Sequence, residues 1–531
     1  MIGREFSYAL LAAVARKSAA ELQLSLDHLV AAGLLFRQGQ PPHAKYLFKH
    51  ALVQNAAYGT LLREPTRALH AQVADVYERQ FQDLVEARPE LLADHLARAA
   101  FAERAIGFYL KAARAATGKG AVAEAVAQLH RGLALLGNIA NADARQRHEI
   151  ELQITLGNAL MASRGFSSAE TDAAFRRAAE LCRVADDKAQ SVRVLWGQFT
   201  GHFAGGRQRA ALAVAKELLA LSESLGDAGG QQMGHASVGA CLLHMGSFED
   251  ARTPFERALA ADSGRENERS FRYGLSGRVV AMAYGSFNLL LLGFPDRAQR
   301  LAERSVEEAQ ASSHPPSLCL AHSIAGRVCY LRGEDEGLAE HAAMVVRLAD
   351  EQGLALWQAL GSIYTGWSLG ESGAAREAIN LMRAGIATYR STGGGLCLSL
   401  YYLSLASVEA RLENYREALR SLDEAQTAIE ASEERFVLAE IYRLAGEIAL
   451  NAPESDAAKA VMYFQRALAV AREQRARSWE LRAAMSLARL WHDQDRQDEA
   501  RDLLAPIYSW YSEGFDTPDL KAASSLLDML V

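Results

Sequence analysis

A single spacing recurs through most of this 531-residue chain and restricts its fold more than any other feature. Taking the small or apolar residue near the start of each predicted second helix as an anchor gives Ala211, Ala251, Ala298, Leu338, Ala378, Ala418, Ala460 and Ala500, with separations of 40, 47, 40, 40, 40, 42 and 40. A period held this closely marks a repeat array, in which helical units stack and bury faces that none could bury alone. Twelve positions before six of the anchors stands another small residue (Gly239, Ser286, Gly326, Gly366, Ala406 and Ala488), and Gly197 and Gly446 precede theirs by fourteen. Small residues at matched places let two helix axes approach, so each unit reads as a packed helix pair.

The clearest unit runs Val238-Gly239-x-x-Leu242, then Gly246-Ser247-Phe248-Glu249-Asp250-Ala251, then Phe255 and Ala258. It resembles the tetratricopeptide pattern, L-G-x-x-Y followed by A-x-x-x-F-x-x-A. Tyr109, Ala113, Ala125, Leu129 and Gly132 fit a further copy. Leu156, Gly157, Leu160, Phe175 and Ala178 fit a looser one with a longer loop at 162–168, which makes about ten pairs in all. A period of 40 exceeds the usual ~34, so each helix is expected to be about a turn longer than the tetratricopeptide standard.

Composition agrees with a helical chain: half the residues are apolar, 23% are charged and only 11 are proline. Basic and acidic residues number 57 and 64, a net charge of −7, so no positive field is expected to gather nucleic acid or an anionic membrane. Cys182, Cys241, Cys319, Cys329 and Cys397 are scattered singly among apolar residues and read as buried thiols of a cytoplasmic protein. The start carries one short apolar run at 9–15 behind Arg4 and Glu5, without a cleavage site, so neither export nor membrane anchoring is expected.

The first hundred residues do not keep the period. Helical patterns cover 8–15 and 19–32, the second opened by Ser18 with Glu21 three residues on, a capping box, and closed by Gly33. Strand-like segments at 34–37 and 45–48 flank the turn-forming Gly39-Gln40-Pro41-Pro42, which predicts a hairpin. Helix, helix, hairpin is a winged-helix-like order. Further helices are expected over 51–62 and 66–81, with another starting at Pro89. The expected division is a winged-helix-like module at 1–62, connecting helices at 63–100, and a right-handed α-solenoid of tetratricopeptide-like pairs at 101–531. The fold class is all-α.

Three segments, Ile2-Gly3-Arg4-Glu5-Phe6-Ser7, Leu29-Val30-Ala31-Ala32-Gly33-Leu34-Leu35 and Phe48-Lys49-His50-Ala51-Leu52-Val53-Gln54-Asn55-Ala56-Ala57-Tyr58, resemble the stretch after the ATPase domain of bacterial multidomain adenylate/guanylate cyclases. These belong to the signal transduction ATPases with numerous domains (STAND). Ala476-Arg477-Ser478-Trp479-Glu480-Leu481-Arg482-Ala483-Ala484 and Gly514-Phe515-Asp516-Thr517-Pro518-Asp519-Leu520 are similar to the closing repeats of the same family. The resemblance implies that cyclase and ATPase domains precede this region, that the repeats act as sensor or partner platform, and that the chain is a truncated gene product or a separately encoded regulatory half. It also implies that His50 resembles the winged-helix histidine that contacts bound ADP, a nucleotide-sensing role available only with an ATPase domain.

Catalytic chemistry finds no support in the residues. A P-loop needs G-x-x-x-x-G-K-[ST], whereas Gly118-Lys119-Gly120 has Ala113 in place of the first glycine and no hydroxyl after the lysine. His235/His244 and His314/His322 are spaced by nine and eight, which does not set two imidazoles one turn apart, so no metal or cofactor is expected. The 19–32 helix bears Glu21 and Asp27 but no lysine or arginine, which argues against DNA binding. Function is therefore expected on the concave surface of the array. Counting one and four positions beyond the small residue of each first helix, and three before it for Arg443, nominates Gln198, Phe287, Arg327, Tyr330, Trp367, Arg443, Arg489 and His492. The reading is a non-catalytic sensor and protein-interaction module that binds a protein or small signalling ligand, with a cyclase/ATPase half as a possible partner. The alternative is a fragment of a transcription regulator from the same ATPase superfamily, which would carry a basic helix-turn-helix; residues 517–531 offer only Lys521.

Overall fold

A computed structural model describes residues 3–15, 17–60, 62–118, 121–164, 168–261 and 275–530. They form 27 α-helices and one three-stranded sheet, an all-α solenoid architecture. The chain separates into two compact units, Met1–Ala159 and Leu160–Val531. No helix among the described residues is long and apolar enough to cross a membrane.

In the first unit the expected hairpin is strands β2 (Leu35–Gln38) and β3 (Lys45–Phe48), and β3 also pairs with a strand the sequence did not announce, β1 (Glu5–Ser7), giving the order β1-β3-β2. Three residues are too few to display an alternating pattern; β1 is held by its register, with Phe6 opposite Tyr46. Helices Tyr8–Val14 and Ala19–Ala31 close over the sheet, burying Tyr8, Leu22, Leu26, Leu35 and Tyr46. The capping box at Ser18 and Glu21 forms as read. Helix Ala51–Gly59 ends three residues earlier than expected, Arg63–Gln80 follows, and Pro89 opens Pro89–Arg98. Helix Ala142–Arg164 runs into the expected 162–168 loop, of which 165–167 lie outside the described residues, as do Lys119 and Gly120.

In the second unit eight pairs follow one another: Lys188–Ala204 with Gln208–Leu225, Ala228–His244 with Phe248–Ala260, Gly277–Leu291 with Pro295–Ser312, Pro315–Arg332 with Asp335–Gln352, Ala355–Glu371 with Ala375–Ser391, Leu398–Arg411 with Tyr415–Ser432, Leu438–Asn451 with Ala457–Glu473, and Arg477–His492 with Gln497–Ser509. Pro518–Met529 caps the array. Each of the eight sequence anchors is the fourth residue of its second helix, and all are fully buried. The opposing small residues are required by contact: a Cβ on Gly197 would lie 2.1 Å from the Phe175 ring, on Gly446 2.5 Å from Phe464, and on Gly366 2.6 Å from Met382. Second helices bury one stripe, as in Ala298, Ala302, Ser305, Val306 and Ala309, and expose the rest. First helices such as Gly277–Leu291 are buried almost all round, which makes them the inner wall.

Candidate functional site

The inner wall of the second unit is not an open groove, because the array coils until successive turns touch. The loop after the first pair's inner helix meets a linker almost 200 positions on: the amides of Gly395 and Leu396 donate to the Ala204 carbonyl at 2.8 and 3.1 Å. One pair later, the amides of Arg435 and Phe436 donate to the His244 carbonyl. Next, the Ser478 hydroxyl donates to Leu290 O at 2.5 Å, and finally the Glu513 carboxylate accepts from the amides of Asp296 and Arg297. The regular linkers between pairs are short, with Gly226, Ser313 and Gly353 in the left-handed region. Where the second turn receives the first, the linkers lengthen to 392–397 and 433–437.

Side chains complete the closure. The buried carboxylate of Glu434 accepts from Gln208 Nε2 at 3.0 Å and from the Cys397 amide at 2.8 Å, joining the two turns. His244, fully buried, donates through Nδ1 to Ala240 O, which leaves Nε2 to accept from the Cys397 thiol at 3.4 Å. Burial pulls the His244 imidazole down to about 3 and pushes the Glu434 carboxyl up to about 8 and the Cys397 thiol up to about 12.

Against this seam lies a cavity of about 140 Å³. Helix Lys188–Ala204 lines one side with Trp196, Phe199 and Phe203, whose rings stack in sequence at 5.3 and 5.2 Å. Four successive inner helices each contribute the residue two before their small position: Ser237, Tyr284, Ile324 and Tyr364. Half-buried Trp196 and Trp357 stand at its outer end; Phe199, Tyr284, Tyr364 and Tyr401 are buried within. Among the described residues Arg327 is the one charged residue lining it, 4% exposed, with Nε donating to the Tyr364 hydroxyl at 2.9 Å and Nη2 to the Tyr401 hydroxyl at 3.1 Å. Nη1 reaches the Cys397 sulfur at 3.4 Å. Among the described residues, no carboxylate lies within 4.0 Å of this guanidinium. The hydroxyls of Ser237 and Ser323, both on the cavity wall and almost completely buried, have no hydrogen-bond partner.

Of the eight nominated wall residues, Arg327 lines the cavity. Tyr330 and Trp367 pack ring to ring at 4.2 Å, with Trp367 buried, and buried Phe287 meets Phe436 edge-on at 6.1 Å. Arg443 is half-buried and chelated by Glu440 at 2.9 Å and Glu447 at 3.0 Å. Gln198 and His492 are half-buried and Arg489 is exposed. His50 sits at the N-cap of helix Ala51–Gly59 with its side chain exposed and making no capping bond. Of the histidines considered for metal binding, His322 pairs with His341, Nδ1 to Nδ1 at 3.0 Å, and His244 belongs to the seam. Among the described residues no three His, Cys, Asp or Glu side chains are arranged so that they could hold a metal ion. Sequence reasoning missed Ser237, Tyr284, Ser323, Tyr364, Cys397 and Glu434. The first four follow from a shift in helical phase, whereas Cys397 and Glu434 come from linkers that only the coiling brings inward.

No family model matches the chain. An uncharacterised protein of Rhizobium meliloti (strain 1021) is 22% identical over 424 residues, 78% of this chain, and the chain spans only 41% of that relative's length. Solved structures of similar architecture include the Cut9–Hcn1 hetero-tetramer of APC/C (13% identity, 91% of this chain and 94% of that one, TM-score 0.44). A Rap protein complexed with competence and sporulation factor follows at 13%, 70% and 99%, with a TM-score of 0.46. A signal transduction ATPase with numerous domains carrying a tetratricopeptide repeat sensor, from Pyrococcus horikoshii, gives 14%, 73%, 61% and 0.34.

Proposed function

We propose that this chain is the regulatory and partner-binding portion of a longer cytoplasmic signalling protein, in which the repeats sense a ligand and the N-terminal module relays the result to a cyclase- and ATPase-bearing half. The observation that carries the reading is the interior of the repeat unit, a ligand-sized cavity lined by rings, hydroxyls and one unpaired cation. Packing alone would have filled such a space, since cores leave few voids larger than a water molecule. That the chain spans only 41% of its relative's length is consistent with further domains, which the resemblance supplies as the cyclase and ATPase. In this reading 1–62 is the winged-helix-like relay, 63–100 the connection and 101–531 the sensor array. Leu24, Phe36, Leu52 and Leu62 are exposed on the relay and in this reading meet a neighbouring domain, with exposed His50 meeting a nucleotide held there.

The test is a titration of this chain against the separately produced cyclase–ATPase half, with ATP and with ADP. The reading expects binding that differs between the two nucleotides and loses that difference in His50→Ala. Equal or absent binding under both contradicts it.

A further inference from the structure

Arg327 presents an energetic problem that the fold does not solve. A guanidinium is protonated at every pH a protein experiences, and a buried cation is tolerated only when an anion or a full set of acceptors surrounds it. Here its acceptors are two phenols and a thiol. Burial holds both phenols above their ordinary range and the thiol at about 12, so at neutral pH these neighbours are dipoles without charge. Glu434, the acidic group across the seam, spends its two oxygens on Gln208 and Cys397.

The cavity beside it has the matching deficiencies. At about 140 Å³ it is close to the roughly 150 Å³ that holds one benzene in an engineered cavity, but that cavity is wholly apolar, whereas this one has ionic and hydroxyl groups in its lining. The orphaned Ser237 and Ser323 hydroxyls line the same cavity as Arg327, Ser323 one helical turn before it on the same helix, together with the rings of Trp196, Phe199 and Phe203. We infer that the cavity is a binding site for a small aromatic carboxylate, its ring among the aromatic side chains and its carboxylate on the Arg327 guanidinium and the two serine hydroxyls. This rests on the sensor reading for its biological use but not for its chemistry. A carboxylate supplies the missing anion in a bidentate geometry that arginine favours, and gives both hydroxyls an acceptor.

The test uses the whole chain with benzoate and its uncharged isostere benzamide, read by quenching of tryptophan fluorescence and by calorimetry. Benzoate is expected to bind saturably with one site, and benzamide more weakly by on the order of tenfold or more, the difference between a charge-assisted and a neutral hydrogen bond. Arg327→Met is expected to reverse that preference. Should that variant not fold, Ser323→Ala, which removes one hydroxyl from a buried wall, is expected to weaken benzoate and leave benzamide nearly unchanged. Absence of benzoate binding to the folded chain, or equal affinity for the two probes, overturns the inference. Benzoate binding that leaves association with the cyclase–ATPase half unaltered would sink the sensor reading and spare the site; nucleotide-dependent association without benzoate binding would do the reverse.

Discussion

At the residue scale, the array depends on glycines that differ sharply in what surrounds them. Gly197 has the Phe175 ring where a Cβ would go, whereas Gly107, inside helix Ala102–Gly118, has nothing within 4 Å of that position. Gly197→Ala is therefore expected to destabilise by about 1–3 kcal/mol through overpacking, and Gly107→Ala to stabilise by about 0.5–1 kcal/mol through helix propensity. Urea midpoints of the two variants check both signs. Titration at the seam has opposite consequences for its two buried groups. Folding lowers the His244 value from 6.5 to about 3, so its contribution is whole above 6.5 and is lost as pH falls from 6.5 towards 3. Folding raises Glu434 from 4.5 to about 8, so its contribution is whole below 4.5 and is lost as pH rises towards 8. His70 and His95, whose Nδ1 atoms meet at 2.8 Å in the first unit, lie at about 4 and about 3, and add to the acid-side loss. Chemical denaturation from pH 4 to 9 should show Glu434→Gln removing the alkaline-side decline while the acid-side decline persists; an unchanged alkaline limb would contradict the assignment.

At the scale of elements, the helix pairs were legible because the anchor spacing reports a packing requirement that every pair shares. The same spacing concealed the seam. Inner helices Leu398–Arg411 and Leu438–Asn451 have 14 residues where Ala355–Glu371 has 17. What the helix loses the preceding linker gains, so the period stays constant while linkers 392–397 and 433–437 appear. Residues chosen one and four places beyond the small position gave Arg327 but not Ser237, Tyr284 and Tyr364, which lie two places before it, nor Ser323, three places before it. The linkers are expected to be intolerant of bulk. A Cβ on Gly395 would stand 2.4 Å from the Gly205 carbonyl oxygen, a backbone atom that cannot swing aside. Gly395→Val is predicted to cost about 1–3 kcal/mol and to release the Gly395 and Leu396 amides to exchange, whereas valine at exposed linker positions would do neither.

At the scale of the whole repeat unit, closure changes how stability is shared. An open solenoid is held by neighbour contacts and unfolds from its ends. Contacts between residues 191 to 226 positions apart tie the first four pairs to the last four, so Leu160–Val531 is expected to unfold as one cooperative body. Ligand in the cavity would then stabilise all of it, by an amount that grows with the logarithm of ligand concentration. Closure of the array can be read from amide hydrogen exchange. The loop amides of Gly395, Leu396, Arg435 and Phe436 are expected to exchange as slowly as those of the inner helices, since each donates to a carbonyl of the preceding turn. Exchange of these four at the rate of free surface loops would mean that the turns stand apart, leaving an open groove in place of a cavity walled by both turns.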